Sequence, residues 1–172
     1  MINVTLLLPV KNGSQYIISS LTNLIEIAEK QDEILIVNDF STDNTLDLIK
    51  KFQHQDHRIR VINNVNAGLV NALNIGIKES SNNWIARCDV DDTYDSKRIV
   101  IQKKAINNEI AGIFTDYEFF SDKNNLLGII PSAINSESVS VSLSKSQRTA
   151  HPSIMYSREA VLSAGGYRED DF

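Results

Sequence analysis

The chain has 172 residues, of which 42% are hydrophobic and 23% charged, enough for one globular domain with its own core. Its formal net charge of -5 and the lack of any Lys/Arg run argue against nucleic acid as a partner. The one cysteine, Cys88, allows no intrachain disulfide, and no apolar run is long enough to span a bilayer.

In chain order, Val4–Pro9 is a short apolar run that predicts a buried strand. Tyr16–Ala28 follows with helical spacing at Tyr16, Ile17, Leu21, Leu24, Ile25 and Ala28. Glu33–Val37 predicts the second strand. A helix then starts near Asp43, where Ser41, Thr42 and Asp43 offer caps and Leu46, Ile49 and Phe52 form the apolar face. Arg58–Ile62 predicts a third strand, Gly68–Lys78 a third helix and Asn83–Cys88 a fourth strand. Continuous apolar strands separated by helices imply parallel strands buried on both faces, hence an α/β sheet with helices on both sides.

After Asp92 the rhythm changes. Lys97–Ile106 predicts a helix, and Ile110–Phe120 and Leu126–Ile130 predict strands joined by the polar turn 121–125. The segment 135–147 is polar and Ser-rich and is expected to be irregular. Ser153–Tyr156 predicts a strand and Arg158–Ala164 a short helix stopped by Gly165-Gly166. Residues 1–92 would form one half of a single domain and 93–172 the start of a second half.

In a parallel α/β sheet, ligands bind outside the carboxyl ends of the strands. Polar clusters fall at all four such ends: Pro9-Val10-Lys11-Asn12-Gly13, Asn38-Asp39-Phe40-Ser41, Asn63-Asn64-Val65-Asn66-Ala67-Gly68 and Asp89-Val90-Asp91-Asp92. Three carboxylates within four residues repel one another unless they share a cation. Mg²⁺ and Mn²⁺ take oxygen ligands, commonly one or two carboxylates plus substrate phosphates. A solvated turn that caps a helix is the plainer account of the triplet, and it loses ground only because the other three loops are polar too. Asp39 has the choice of accepting from a ligand or closing an Asx turn. Asn66 and Gly68 have the choice of approaching a ligand or capping the third helix. In the segment before the last predicted strand, His151 has the choice of packing locally or doing chemistry, and Arg148 of being solvated or reaching a diphosphate.

Taken together, LLLPVKNGSQYI (6–17), EILIVNDFSTDNT (33–45), NNVNAGLVNALNIGI (63–77), WIARCDVDDTYDSKRI (84–99) and HPSIMYSREAVLSAGGYRE (151–169) resemble the family 2 glycosyltransferases, in the family's order and over most of the chain. The resemblance implies the GT-A fold, a nucleoside-diphosphate sugar (a UDP-sugar above all) as donor, Mn²⁺ or Mg²⁺ as cofactor, and a saccharide or lipid-linked saccharide as acceptor. It implies that Pro9, Val10 and Asn12 line the nucleotide pocket, that Asp39 binds the base, and that Asn66, Gly68 and Asn74 border base and ribose. Asp89, with Val90 beside it, would face the ribose and diphosphate; Asp91, with Asp89, would hold the metal. His151 and Arg148 would lie in the donor and acceptor region. The family usually has two acids and then Gly-Ser after the second strand, where this chain has Asn38-Asp39-Phe40-Ser41; Phe40 in the glycine position is expected to alter that loop. The catalytic base of the family is a carboxylate several residues after the Gly-Gly-Tyr segment. Asp170 and Asp171 follow Gly165-Gly166-Tyr167 too closely for that spacing, so the base is expected beyond Phe172.

Such enzymes invert the anomeric centre in one displacement, and a cytoplasmic place at the inner membrane face, in bacterial surface-polysaccharide synthesis, follows by family analogy. Other α/β enzymes fit less well. A dinucleotide-dependent dehydrogenase needs a glycine fingerprint that Lys11-Asn12-Gly13-Ser14 does not supply. The phosphate-binding P-loop pattern and the Gly-rich, Arg-containing first loop of sugar nucleotidyltransferases are absent as well. A non-catalytic nucleotide-sugar-binding module remains the rival outside the enzymes.

Overall fold

The computed structural model describes residues 2–121, 123, 125–132 and 150–169. Four apolar runs form parallel strands: β1 (Val4–Val10), β2 (Glu33–Asn38), β3 (Ile59–Asn63) and β4 (Trp84–Arg87), in spatial order β3-β2-β1-β4. Helices α1 (Ile17–Ile27), α2 (Thr45–Gln55) and α3 (Leu69–Glu79) connect them. The third strand starts one residue later than its apolar pattern suggested. Arg58 leads into it: its carbonyl accepts from Ile34 N–H at 2.9 Å, while its guanidinium is held by Asp56 at 2.6 Å and by the carbonyls of Ala28 and Ile25.

Both faces of the sheet are covered, as continuous apolar strands require. On one face Leu6, Leu8, Ile34 and Ile36 pack with Ile17, Leu21 and Leu24 of α1 and Ile49 of α2. On the other, Leu7, Leu35, Val37 and Ile85 pack with Ala72, Leu73 and Ile77 of α3. Gly76 allows that approach: a Cβ there would lie 2.4 Å from Leu7 Cδ1.

Beyond α4 (Arg98–Ala105) the predicted strand Ile110–Phe120 is two strands in two sheets. β5 (Gly112–Ile113) joins the edge of the main sheet, whereas β6 (Tyr117–Phe120) pairs with β7 (Leu126–Ile130) as a separate antiparallel ribbon. The break falls at Thr115-Asp116, where the Asp116 carboxylate accepts from Ser132 N–H at 2.7 Å and turns the chain away.

His151–Ser153 form a short 3₁₀ turn before β8 (Met155–Ser157), which runs antiparallel between β4 and β5 and leads into α5 (Arg158–Ser163). The sheet is therefore six-stranded and mostly parallel, in the order β3-β2-β1-β4-β8-β5.

Pro9 sits inside the central strand without breaking it. In this register the odd-numbered residues of β1 face β4, and the β1–β4 ladder ends at Leu7–Arg87. Pro9 thus presents its missing donor where β1 and β4 have already parted, so no ladder bond is lost. The same parting opens the carboxyl edge of the sheet between the first and fourth loops.

Candidate functional site

Hydrogen bonds lace the first strand-end loop to the second and the second to the third, and the fourth meets the first by packing. Asn12, at φ 52, accepts from Thr42 N–H at 2.8 Å and donates its own N–H to Ser41 Oγ at 3.0 Å. Asp43 accepts from Ser14 N–H at 3.1 Å and from Thr45 N–H at 3.0 Å, and also from the Thr45 hydroxyl. The Thr45 hydroxyl above all, with Ser14, holds the Asp43 carboxyl well below the usual carboxylate range. Asp43 thereby caps the start of α2, one of the three caps the sequence offered.

The second loop hangs from Asn38 and Asp39. Asn38 donates to Asn63 Oδ1 at 3.0 Å and accepts from Ser41 N–H at 3.2 Å. A carboxylate in its place would keep the acceptor and lose the donor, which is the local reason an amide suits this chain. Phe40 adopts φ 55 with its ring half exposed, so a bulky residue occupies the left-handed backbone that glycine takes freely.

Asp39 is buried, and its two oxygens converge on the third loop. Oδ1 accepts from Asn64 Nδ2 at 2.7 Å and from Gly68 N–H at 3.0 Å, and Oδ2 lies 3.1 Å from the same N–H. Gly68 stands at the start of α3 with φ 117. Of the two accounts open in the sequence, the structure shows the local one: Asp39 shapes the third loop, at the carboxyl edge of the sheet. Asn64 had no signal to separate it from its neighbours Asn63 and Asn66. Asn66 itself is solvent-exposed.

The first and fourth loops meet through Gly13. A Cβ on it would lie 2.7 Å from Val10 and 3.2 Å from Val90, so the turn packs directly on both valines. Pro9 and Val10 are buried beneath this contact. Val90 thus ties the acidic triplet to the first loop.

Within the triplet the three acids differ. The Asp89 N–H donates to Tyr94 Oη at 2.7 Å, and its carboxylate pairs with Arg87 at 2.5 Å. Asp91 is exposed and Asp92 half-buried. Burial, then the Asp89 and Asp91 carboxylates, push the Asp92 carboxyl up to about 6. That crowding of like charge is the condition a divalent cation relieves, so the donor set fits Mn²⁺ or Mg²⁺, with Asp91 and Asp89 the side chains that would reach it. Among the described residues, no group of three His, Cys, Asp or Glu side chains is arranged to hold an ion unaided. Substrate oxygens would have to complete the shell.

Asn74 has a partner other than the nucleoside expected of it. Its amide donates to Tyr167 C=O at 2.9 Å and accepts from Tyr167 N–H at 2.9 Å, clasping a segment 93 residues away. Tyr167 Oη in turn lies 2.7 Å from His151 Nε2, with the rings edge to face at 5.3 Å. Burial, and secondarily the Arg87 charge, bring the His151 pKa down to about 4. His151 is therefore neutral at pH 7. Arg148, Asp170 and Asp171 lie outside the described residues.

The His151 shift has a pH signature. Between about 6.5 and about 4 the unfolded chain binds a proton at this imidazole that the folded chain does not, so its contribution to stability falls as pH falls through that window. Asp92, with its pKa raised, acts in the opposite sense over nearly the same range, so global stability would mask the effect. NMR titration of the His151 ring is the clean measurement: an apparent pKa below 5 is expected, and one near 6.5 would contradict the buried geometry.

Residues 5–161 match the family model described as "Glycosyl transferase family 2". The chain belongs to that family. Glycosyltransferase GlyA of Streptococcus pneumoniae serotype 4 is 32% identical over 124 residues, which is 72% of this chain and 18% of that protein. Poly-beta-1,6-N-acetyl-D-glucosamine synthase of Staphylococcus aureus is 38% identical over 92 residues, 54% of this chain and 22% of that one. This family 2 chain thus spans about a fifth of the length of these curated relatives.

Solved structures share its fold. The mannosyltransferase PcManGT of Pyrobaculum calidifontis, in complex with GDP-Man and Mn²⁺, superposes with a TM-score of 0.72 at 16% identity, over 97% of this chain and 48% of that one. S. aureus TarS 1-349 in complex with UDP-GlcNAc superposes at 0.73 and 16% identity, over 96% of this chain and 48% of that one. The architecture is the GT-A fold that the motifs implied.

Proposed function

We propose that the carboxyl edge of this sheet binds a nucleoside-diphosphate sugar, a UDP-sugar in the first instance, for inverting transfer to a saccharide or lipid-linked saccharide acceptor. The observation that carries this reading is the convergence on one edge of Asp39, with its loop-shaping bonds to Asn64 and Gly68, and the Asp89-Val90-Asp91 turn. The TarS and PcManGT complexes, with UDP-GlcNAc and with GDP-Man and Mn²⁺, support a nucleotide-sugar donor for a chain of this fold. The poly-N-acetylglucosamine synthase similarity supports a role in surface polysaccharide assembly.

On this reading Asp39 and the loop it shapes receive the base, and Pro9, Val10 and Asn12 wall the nucleoside. Asn66, Gly68 and Asn74 lie on the α3 side of that pocket, with Asn74 already engaged by Tyr167. The free oxygen of Asp89 accepts from a ribose hydroxyl, and Asp91 with Asp89 would hold Mn²⁺ or Mg²⁺. A cation held there would neutralise the charge that grows on the departing diphosphate, and so would favour the transition state over the ground state. His151, held neutral by burial, and Arg148 belong to the donor and acceptor region. The acceptor hydroxyl gives its proton to a carboxylate base, as in the family mechanism. No described helix is long and apolar enough to cross a membrane, and we place the enzyme in the cytoplasm, at the inner face of the membrane where a lipid-linked acceptor would lie.

Thermal shift with UDP, GDP or NAD, with and without Mn²⁺, tests the donor. Stabilisation by UDP that depends on Mn²⁺ is expected, since ligand bound only to the native state raises Tm. Stabilisation by NAD alone would sink the reading. Because Asp91 is exposed, Asp91→Ala should leave the unliganded Tm within about 2 °C while removing the metal-dependent increment. A mutant that keeps the same Mn²⁺ dependence contradicts the metal assignment.

A further inference from the structure

Arg87 is a charged residue that ends the otherwise apolar strand β4, and it is 2% exposed. It lies on the sheet face of Ile85, toward α3, with Leu7 as its β1 register partner. A buried guanidinium is costly unless its donors are met. One NH2 group meets the Cys88 carbonyl and Asp89 Oδ1, while Nε has no hydrogen-bond partner among the described residues. Arg98, also buried, lies alongside: it donates to the Arg87 carbonyl at 3.0 Å, stacks 4.4 Å from the Tyr94 ring, and has no carboxylate within ion-pair distance among the described residues. Two buried cations therefore stand directly behind the acidic triplet. Asp89 is the ion-pair partner of one of them.

Asp89 is fixed twice, by Tyr94 at its backbone N–H and by Arg87 at Oδ1. Asp91, two residues on, is exposed and has no ion pair among the described residues. Resting on the donor reading above, we propose that Arg87 is a positioning residue that divides the work of the two acids. It locks one Asp89 oxygen, leaves the other for a hydroxyl of the nucleotide sugar, and by its positive charge disfavours Asp89 as a metal ligand. The cation is thereby left to Asp91 and the diphosphate. Asp89 would then not be a second metal ligand. This role also gives the arginine a purpose that packing alone does not: a leucine or methionine would fill the same strand position at no desolvation cost.

The consequence has a sign that a purely structural role would not produce. Arg87→Met removes a buried charge whose partner, with a side chain 32% exposed, stays solvated, so the fold should survive. Freed of its counter-charge, Asp89 should then bind Mn²⁺ alone about three- to tenfold more tightly, measured by electron paramagnetic resonance titration of the 172-residue chain. In the same protein, calorimetry at saturating Mn²⁺ should show UDP bound about tenfold more weakly, because the hydroxyl contact has lost its orientation. Arg87→Lys keeps the charge and should return Mn²⁺ affinity toward that of the wild type. If the Met variant fails to fold, Arg87→Gln, which keeps a donor toward Asp89 without the charge, carries the same Mn²⁺ expectation.

Unchanged or weaker Mn²⁺ binding in a folded, uncharged variant overturns the inference while leaving the donor reading intact, provided the wild type binds UDP with Mn²⁺. A wild type that binds neither overturns the donor reading and this inference with it.

Discussion

Replacing Asp39 with Ala is expected to cost about 2–4 kcal/mol of stability and to abolish nucleotide binding. The stability loss follows from geometry alone. Asp39 is buried, and its removal orphans the Gly68 N–H and one N–H of the Asn64 amide, which now point at its oxygens over 2.7–3.1 Å; the amide nitrogen keeps only its 3.2 Å bond to the Gly68 carbonyl. Hydrogen bonds to a charged acceptor are stronger than neutral ones, and two orphaned donors at the start of α3 are expensive.

Asp39→Asn is the informative control. It preserves shape and the Oδ1 acceptor, yet sets an NH2 against the Gly68 N–H, so it should fall between wild type and Ala. Urea unfolding measures the first effect and UDP calorimetry the second. An Ala variant with an unchanged urea midpoint would show that the third loop does not depend on this carboxylate. One that is destabilised but still binds UDP normally would confine Asp39 to a structural role.

Gly166→Ala should cost about 2–3 kcal/mol, well above the cost of Gly165→Ala. Both glycines lie in the left-handed region, at φ 78 and φ 94, so both substitutions carry conformational strain. Only at Gly166 would the new Cβ meet a neighbour, lying 2.6 Å from Asn74 Oδ1, whereas at Gly165 nothing lies within 4 Å. The clash forces Asn74 away from Tyr167, and both bonds of the clasp are lost together.

A double-mutant cycle isolates this term. In an Asn74→Ala background the Gly166→Ala penalty should shrink to about that of Gly165→Ala, because the obstructing oxygen is gone. Equal penalties in the two backgrounds would show that the close approach is not the source. Adding UDP to the series separates the two roles of Asn74. If the nucleoside depends on it directly, Asn74→Ala weakens UDP binding more than Gly166→Ala does.

Much of the architecture was legible in advance. The spacing of Leu21, Leu24, Ile49, Leu73 and Ile77 marks helix faces, and the runs at 4–9, 33–37 and 83–88 mark strands to within a residue at each end, because burial of a periodic structure imposes a period on the residues themselves. Where that period fails, the pattern misleads: Ile110–Phe120 is apolar enough for one strand, but Asp116 turns it into two. Arg87 did carry a local signal, as the charged member of Trp84-Ile85-Ala86-Arg87-Cys88, and such a residue in a doubly covered strand always needs a partner.

The site divides along the same line. Local sequence placed Asp39 and the Asp89-Val90-Asp91 turn at strand ends, because a carboxylate following a buried strand has to surface at the sheet edge. It also indicated that the strands are parallel, and hence that these ends share one edge. Which groups meet there was decided by the tertiary structure: Asp39 with Asn64 and Gly68, Arg87 with Asp89, and Asn74 with Tyr167. Cross-loop bonds leave no periodic trace in the chain. They depend on strand order and register, which side-by-side packing of β3-β2-β1-β4 fixes only once the whole sheet has assembled.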